Sequence, residues 1–210
     1  MLTLYDYQPA PSPRRARIFL AEKGIEYKCI QIDLMAGEQL GDEFKAINPR
    51  CAVPALVTED GDVISENVAI ASYLEDLHPE PVLMGATSIE KAAVLEWNWR
   101  CEFEGLMAIA ETLRNTSPGM KNRALTGKRN MAQLPELAVR GRERLGFFFE
   151  DLNERLSESG FVAGDFFSFA DITAMVAVDF SKWIKAKPDQ SLSALYDWYG
   201  KVSARASSQA

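Results

Sequence analysis

Histidine is almost missing from this chain of 210 residues. His78 is the only one, which removes a His-based catalytic triad and a multi-histidine metal site. It precedes Pro79, where a helix-end role is expected. Cysteine is scarce too. Cys29, Cys51 and Cys101 stand far apart with no C-x-x-C spacing, so neither a zinc knuckle nor a dithiol redox motif is available, and no metal site is expected. Their odd number predicts reduced thiols in a cytoplasmic setting. Positive charge is in deficit: 23 Lys+Arg against 30 Asp+Glu gives −7. That balance suits neither a nucleic-acid backbone nor an anionic membrane, so neither partner is expected. No apolar run approaches the roughly 18 residues a membrane span needs. The stretch from Met1 to Asp6 lacks a basic region ahead of an apolar one, so no signal peptide is expected.

What is present is ordinary globular material: 47% hydrophobic, 25% charged and 10% aromatic residues. The first eighty residues alternate in type. Leu2 to Tyr7 reads as a strand, Pro9 to Pro13 as a loop, and Pro13 to Gly24 as a helix with Ser12 at its N-cap. Tyr27 to Asp33 alternates as a second strand, and Glu38 to Ile47 reads as a short helix. Residues 54–58 and 63–64 flank a Glu59–Asp62 turn, which predicts a hairpin; Ser65 to Leu77 is helical. Strand–helix–strand implies parallel pairing with a right-handed crossover, and the hairpin adds an antiparallel edge. From His78 to Gly85 two prolines and a glycine mark a linker. Beyond it only helical patterns recur, at roughly 88–115, 135–157, 169–186 and 191–204. In the second, Leu145, Phe148, Phe149, Leu152 and Leu156 form one apolar stripe.

Four local features could carry chemistry or fix the fold. Ser12 stands beside a helix N-terminus, where backbone N–H groups and the helix dipole would stabilise an anion such as a thiolate. Its position alone favours plain capping. Val53–Pro54 opens a strand, where a proline needs an edge or special geometry. If its bond is cis, the Val53 N–H and C=O are free for a peptide-like ligand. Ser65-Glu66-Asn67 at a helix start could hold the ammonium and carboxylate of an amino-acid head group, although ordinary capping explains the same residues. Ser168 and Asp171 form a capping box, with Phe167 and Ile172 as the apolar staple, and here the structural role is preferred. Arg140, Arg142 and Arg144, with Glu136 four before Arg140, read as a solvated helix face. Trp97, Trp99, Phe103 and Met107 read as core or interface.

Taken together, Ser12 in the Pro9–Arg17 loop, the Asn48–Leu56 segment, Ile64–Ile70, the His78-Pro79 linker and the Ser168–Asp171 box resemble the glutathione transferase superfamily, over almost the whole chain. The look is closest to bacterial members with a serine- or cysteine-type active loop. The resemblance implies an α/β thioredoxin-like N-terminal domain over 1–79, a linker over 80–86 and an all-α C-terminal domain over 87–210. It also implies a homodimer, glutathione as co-substrate, and transfer of glutathione to a hydrophobic electrophile in detoxification. Residue by residue, Ser12 aligns with the active cysteine of cysteine-type members. Val53 and Pro54 match the pair that meets the cysteinyl backbone. Glu66 matches the acidic residue at the γ-glutamyl group, Asn67 falls where serine or threonine is common, and Gln39 falls at the glycyl end. Two departures stand out: Ala52 replaces a usual Lys or Gln, and a serine-type register would place Ala10 rather than Ser12 at the active position. Tyr5 is a second candidate hydroxyl, with a strand aromatic as its plain reading. A glutathione-dependent reductase or isomerase, or a non-catalytic binding protein of the same fold, are the rival functions.

The chemistry such a site performs is simple in outline. The free thiol pKa is about 8.5, so lowering it by two units requires about 2.7 kcal/mol in favour of the anion. One hydrogen bond to a charged group supplies about 1.5–3 kcal/mol. The resemblance places the electrophile in an apolar pocket, with Trp97, Phe103 and Met107 as candidate lining.

Overall fold

The computed structural model describes all 210 residues. Contacts divide the chain into two compact units, one of residues 1–81 with 126–129 and 210, the other of 82–125 and 130–209.

In the first unit, β1 (Thr3–Asp6), α1 (Pro11–Lys23), β2 (Lys28–Gln31), a 3-10 turn (Glu38–Leu40), α2 (Asp42–Ile47), β3 (Ala55–Val57), β4 (Val63–Ile64) and α3 (Asn67–Leu77) follow in order. The sheet order is β2-β1-β3-β4. β1 and β2 run parallel, with Thr3 opposite Lys28, while β3 is antiparallel to both β1 and β4. The expected parallel pairing and hairpin are both present. Leu2, Leu4 and Asp6 alternate into the interior. The buried Asp6 carboxylate is met by Arg17 at 2.6 Å and by the Gln31 amide at 2.7 Å. Leaving either ion alone there would cost about 3–5 kcal/mol.

Three boundaries differ from expectation. α1 starts at Pro11, not Pro13, and its N-cap is Ala10, with no side-chain cap. Pro11 suits the first helical position as well as Pro13 does, because its missing N–H is not needed there. Ser12 is therefore the second residue inside the helix rather than its cap. α3 begins at Asn67, with Glu66 at the N-cap in an extended conformation, so Ser65 lies outside. Gly41 divides the expected 38–47 helix into a 3-10 turn and α2. At the C-terminus of α1, Gly24 takes φ 63°, a left-handed turn that glycine adopts freely. Lys23 is fully buried at its side chain and pairs with Glu75 at 2.6 Å. Its ammonium also donates to the carbonyls of His78 and Pro81, each at 2.6 Å. His78 is the C-cap of α3, as its position predicted.

The second unit is helical: α4 (Ser88–Arg100), a π-helical segment (Cys101–Leu106), α5 (Met107–Thr116), α6 (Pro135–Glu158), α7 (Phe169–Ser181) and α8 (Ser193–Ser203), with short 3-10 turns between or after them. The single 88–115 helix expected from periodicity is thus interrupted by a wider π turn. The interruption lies where Gly105 meets Phe148: a Cβ at 105 would sit 2.9 Å from that ring. The predicted stripe Leu145, Phe148, Phe149, Leu152 and Leu156 is buried. α7 is buried on nearly every side. The Ser168–Asp171 box closes at its start. Asp171 accepts from the Ser168 N–H, the Ser168 hydroxyl, the Val162 N–H and the Trp198 indole, all at 2.9 Å. Burial still holds its carboxyl above the usual carboxylate range against those four donors.

The arginine face also differs. Arg140 and Arg144 share Glu111 on α5, at 3.0 and 3.2 Å, and Arg142 donates to the Ile184 carbonyl, so the expected Glu136 partnership is replaced by contacts between elements. No helix is long and apolar enough to cross a membrane.

Candidate functional site

The site begins where two helices of the first unit start. Asn67, the first residue of α3, donates from Nδ2 to Ser12 Oγ at 2.9 Å. Ser12 is the second residue of α1. The N-terminal turns of α1 and α3 therefore meet through this bond. Their unpaired backbone N–H groups and the positive ends of both dipoles converge on one place, an arrangement that favours bound anions. Arg15, one turn on, donates to the same Ser12 oxygen at 3.4 Å.

Next to Asn67 in sequence, Glu66 is exposed and forms an ion pair with Arg50 at 3.4 Å. A carboxylate and a guanidinium side by side match the ammonium and carboxylate of an α-amino acid. Arg50 was not foreseen from the sequence, where a lone arginine in a loop carries no signal of its own. Its support is legible in retrospect. Asn48 is buried, and its side chain accepts from the Arg50 N–H at 3.0 Å and donates to the Ala52 carbonyl at 2.7 Å. Asparagine favours such local turns. Cys51, inside that turn, takes φ 58°. Gly127 approaches this turn closely: a Cβ there would stand 3.1 Å from the Arg50 carbonyl oxygen.

The Val53–Pro54 bond that follows is cis. β3 begins only at Ala55, and the Val53 N–H and C=O make no hydrogen bond within the chain. The Val53 side chain is buried with Ile32 and Phe44, and Tyr5, Tyr7, Ile30, Leu34 and Ile47 pack against them. Tyr5 stacks obliquely on Phe44 at 5.8 Å between ring centroids. It lies on β1, packed against this cluster.

The structure thus strings Ser12, Asn67, Glu66, Arg50 and Val53–Pro54 together through direct contacts and short connecting segments. Gln39 is not joined to them by any hydrogen bond. It is buried in the 3-10 turn with its Oε1 atom unpartnered. In the second unit, Trp97 and Phe103 do not present bare rings. Arg100 lies over Trp97 at 4.3 Å and Arg144 over Phe103 at 4.7 Å. Phe103 stacks on Trp99 at 5.4 Å. Trp99, Phe103 and Met107 are exposed in the single chain, so the core alternative for them is excluded. Cys29 is exposed, while Cys51 and Cys101 are buried, and all three are free thiols. No group of three or more His, Cys, Asp or Glu side chains is arranged to hold a metal.

A thioredoxin-like unit with a mixed four-stranded sheet and a cis-proline beside it, followed by an all-helical unit, defines a two-part architecture. The family model described as glutathione S-transferase, N-terminal domain, matches residues 10–77, and that for the C-terminal domain matches 118–206. Glutathione S-transferase 2 of Saccharomyces cerevisiae is 32% identical over 208 residues, spanning 98% of this chain and 87% of the relative. A solved glutathione S-transferase domain-containing protein of Marinobacter aquaeolei superposes with a TM-score of 0.90 at 33% identity, covering 98% of each chain. A maleylacetoacetate isomerase of Pseudomonas aeruginosa is 34% identical over 93 residues, 43% of this chain and 44% of that protein. The chain belongs to the glutathione S-transferase family, as a glutathione transferase enzyme.

Proposed function

We propose that this enzyme conjugates reduced glutathione to a hydrophobic electrophile, with Ser12 as the group that meets the sulfur. The observation that carries the reading is the Ser12–Asn67 hydrogen bond, which fixes a hydroxyl where the N-termini of α1 and α3 meet. The thiol loses its proton to solvent, and the anion stays bound at that hydroxyl and the nearby N–H groups. A sulfur lone pair then forms the S–C bond. The leaving group departs with the old bonding pair, or an activated double bond takes the electrons and later a proton.

The remaining residues hold the peptide. The Val53 N–H and C=O pair with the cysteinyl backbone beside Pro54. Glu66 takes the γ-glutamyl ammonium, and Arg50 together with the Asn67 backbone N–H takes its carboxylate. Gln39 serves the glycyl end. A second copy of the chain is the partner for the exposed Trp99, Phe103 and Met107, and detoxification in a reducing cytoplasm is the setting. An isomerase reading is favoured by the similarity to the Pseudomonas protein and uses the same thiolate. It differs in returning glutathione unchanged, so consumption of the tripeptide separates the two.

The test is titration of bound glutathione by its thiolate ultraviolet absorption. The wild-type protein is expected to lower the thiol pKa. Ser12→Ala should raise it again and slow conjugation near neutral pH by roughly ten- to a hundred-fold, the loss of about 1.5–3 kcal/mol. Tyr5→Phe should leave the pKa unchanged. A pKa that follows Tyr5 instead of Ser12 would overturn the assignment, and glutathione retained without turnover of any electrophile would leave a binding protein.

A further inference from the structure

Ser12 has one hydroxyl proton and two lone pairs. Both lone pairs face donors, Asn67 Nδ2 at 2.9 Å and Arg15 Nη2 at 3.4 Å. The hydroxyl donates to nothing within the chain. Asn67 is buried, and its only side-chain hydrogen bond is the one to Ser12; its Oδ1 is buried without a partner. An apolar residue of the same shape would join α1 to α3 without leaving an unmet carbonyl oxygen. The asparagine therefore serves the serine rather than the packing.

We infer that Asn67 is a positioning residue. By occupying a lone pair of Ser12, it turns the hydroxyl proton outward, and as a donor to that oxygen it makes the hydroxyl a stronger donor in turn, since hydrogen bonds in a chain polarise one another. This rests on the reading that Ser12 meets the sulfur of glutathione. The side chain of Asn67 acts through Ser12, while its backbone N–H, at the first position of α3, remains for the ligand carboxylate. The relay has a fixed order: amide N–H to serine oxygen, serine O–H to sulfur.

The test is a double-mutant cycle read by the pKa of bound glutathione. Asn67→Ala should raise that pKa and lower the conjugation rate near neutral pH about two- to tenfold, the size of one neutral hydrogen bond. In the Ser12→Ala background, the same substitution should shift the pKa no further. Asn67→Leu, which keeps the branched shape without the donor, should behave like Asn67→Ala and covers the case in which the smaller side chain loosens α3. A purely structural asparagine would move melting temperature and affinity but not show this coupling. Additive pKa shifts, or none from either Asn67 variant while Ser12→Ala still shifts the thiol, would overturn the positioning role alone. A wild-type protein that binds glutathione with an unshifted thiol would overturn both this inference and the function it rests on.

Discussion

Two serines stand at two helix starts, one in each unit, and they do opposite work. Ser168 is the N-cap of α7, is fully buried, and donates its hydroxyl hydrogen bond to Asp171 at 2.9 Å. Ser12 lies in the first turn of α1, is half-buried, and only accepts. Each has a polar partner: a carboxylate that receives in one case, an amide that donates in the other. The partner's sense decides the role. A carboxylate absorbs the serine's proton and leaves a closed box that stabilises a helix. An amide donor leaves the proton unspent, and the serine can still offer it to something outside the chain.

Asp171→Ala would break the closed side of the comparison most severely. Its carboxylate holds three N–H groups besides the serine hydroxyl. Orphaning them should cost about 3–5 kcal/mol, well beyond the loss of an ordinary cap. The pH dependence has a definite sign. Burial raises the folded pKa, so the folded protein binds the proton more tightly than the unfolded chain. The penalty for the buried charge is present in full above the folded pKa and is relieved as the pH falls through it. Urea denaturation at a series of pH values should therefore show the stability gap between wild type and variant widening with acidification, until the unfolded value of about 3.9 is passed. A gap that narrows on acidification would mean the charge itself stabilises α7.

On the open side, the proposed head-group clamp is the next lever. Glu66 and Arg50 are both well exposed, so each contributes a solvent-screened interaction. Glu66→Ala and Arg50→Ala should each weaken glutathione by a few-fold to tenfold, about 1 kcal/mol, with unchanged melting temperature. Calorimetric titration gives the affinity; equal binding by both variants would move the head group elsewhere.

The smallest effect is expected at Cys51. A side chain at φ 58° costs about 1–2 kcal/mol that glycine avoids. Against this stand the loss of a buried thiol and the extra freedom of glycine in the unfolded chain, of similar size. Cys51→Gly should thus change stability by less than about 1 kcal/mol. A larger loss in chemical denaturation would show that the thiol's packing outweighs the strained backbone.

Much of the fold could be read from local signals, because strands, hairpin and helix stops are written in neighbouring residues. The alternation of Leu2, Leu4 and Asp6, the Glu59–Asp62 turn and the α6 stripe are all of that kind. Where two signals competed, the sequence could not choose: Pro11 and Pro13 both fit a helix start, and the earlier one won. What escaped were relations across distance. Glu111 receives two arginines from another helix, whereas Glu136 was the partner that spacing along α6 suggested. The π segment coincides with the close approach of Gly105 to Phe148, forty-three positions apart. At the site, Ser12, Val53, Pro54, Glu66 and Asn67 were visible as residues, but the direction of the Ser12–Asn67 bond and the presence of Arg50 depend on how α1, α3 and the Asn48–Ala52 turn meet.

Lys23 has a consequence for chemistry done on the protein from outside. Most lysines offer an amine to solvent, but this one is enclosed at its side chain by Glu75 and the carbonyls of His78 and Pro81. An acylating reagent can reach it only when the end of α1, the end of α3 and the following segment separate. The rate at which it is labelled, compared with an exposed amine such as Lys45, is then a clock for the opening of the first unit, ticking in the native protein without denaturant.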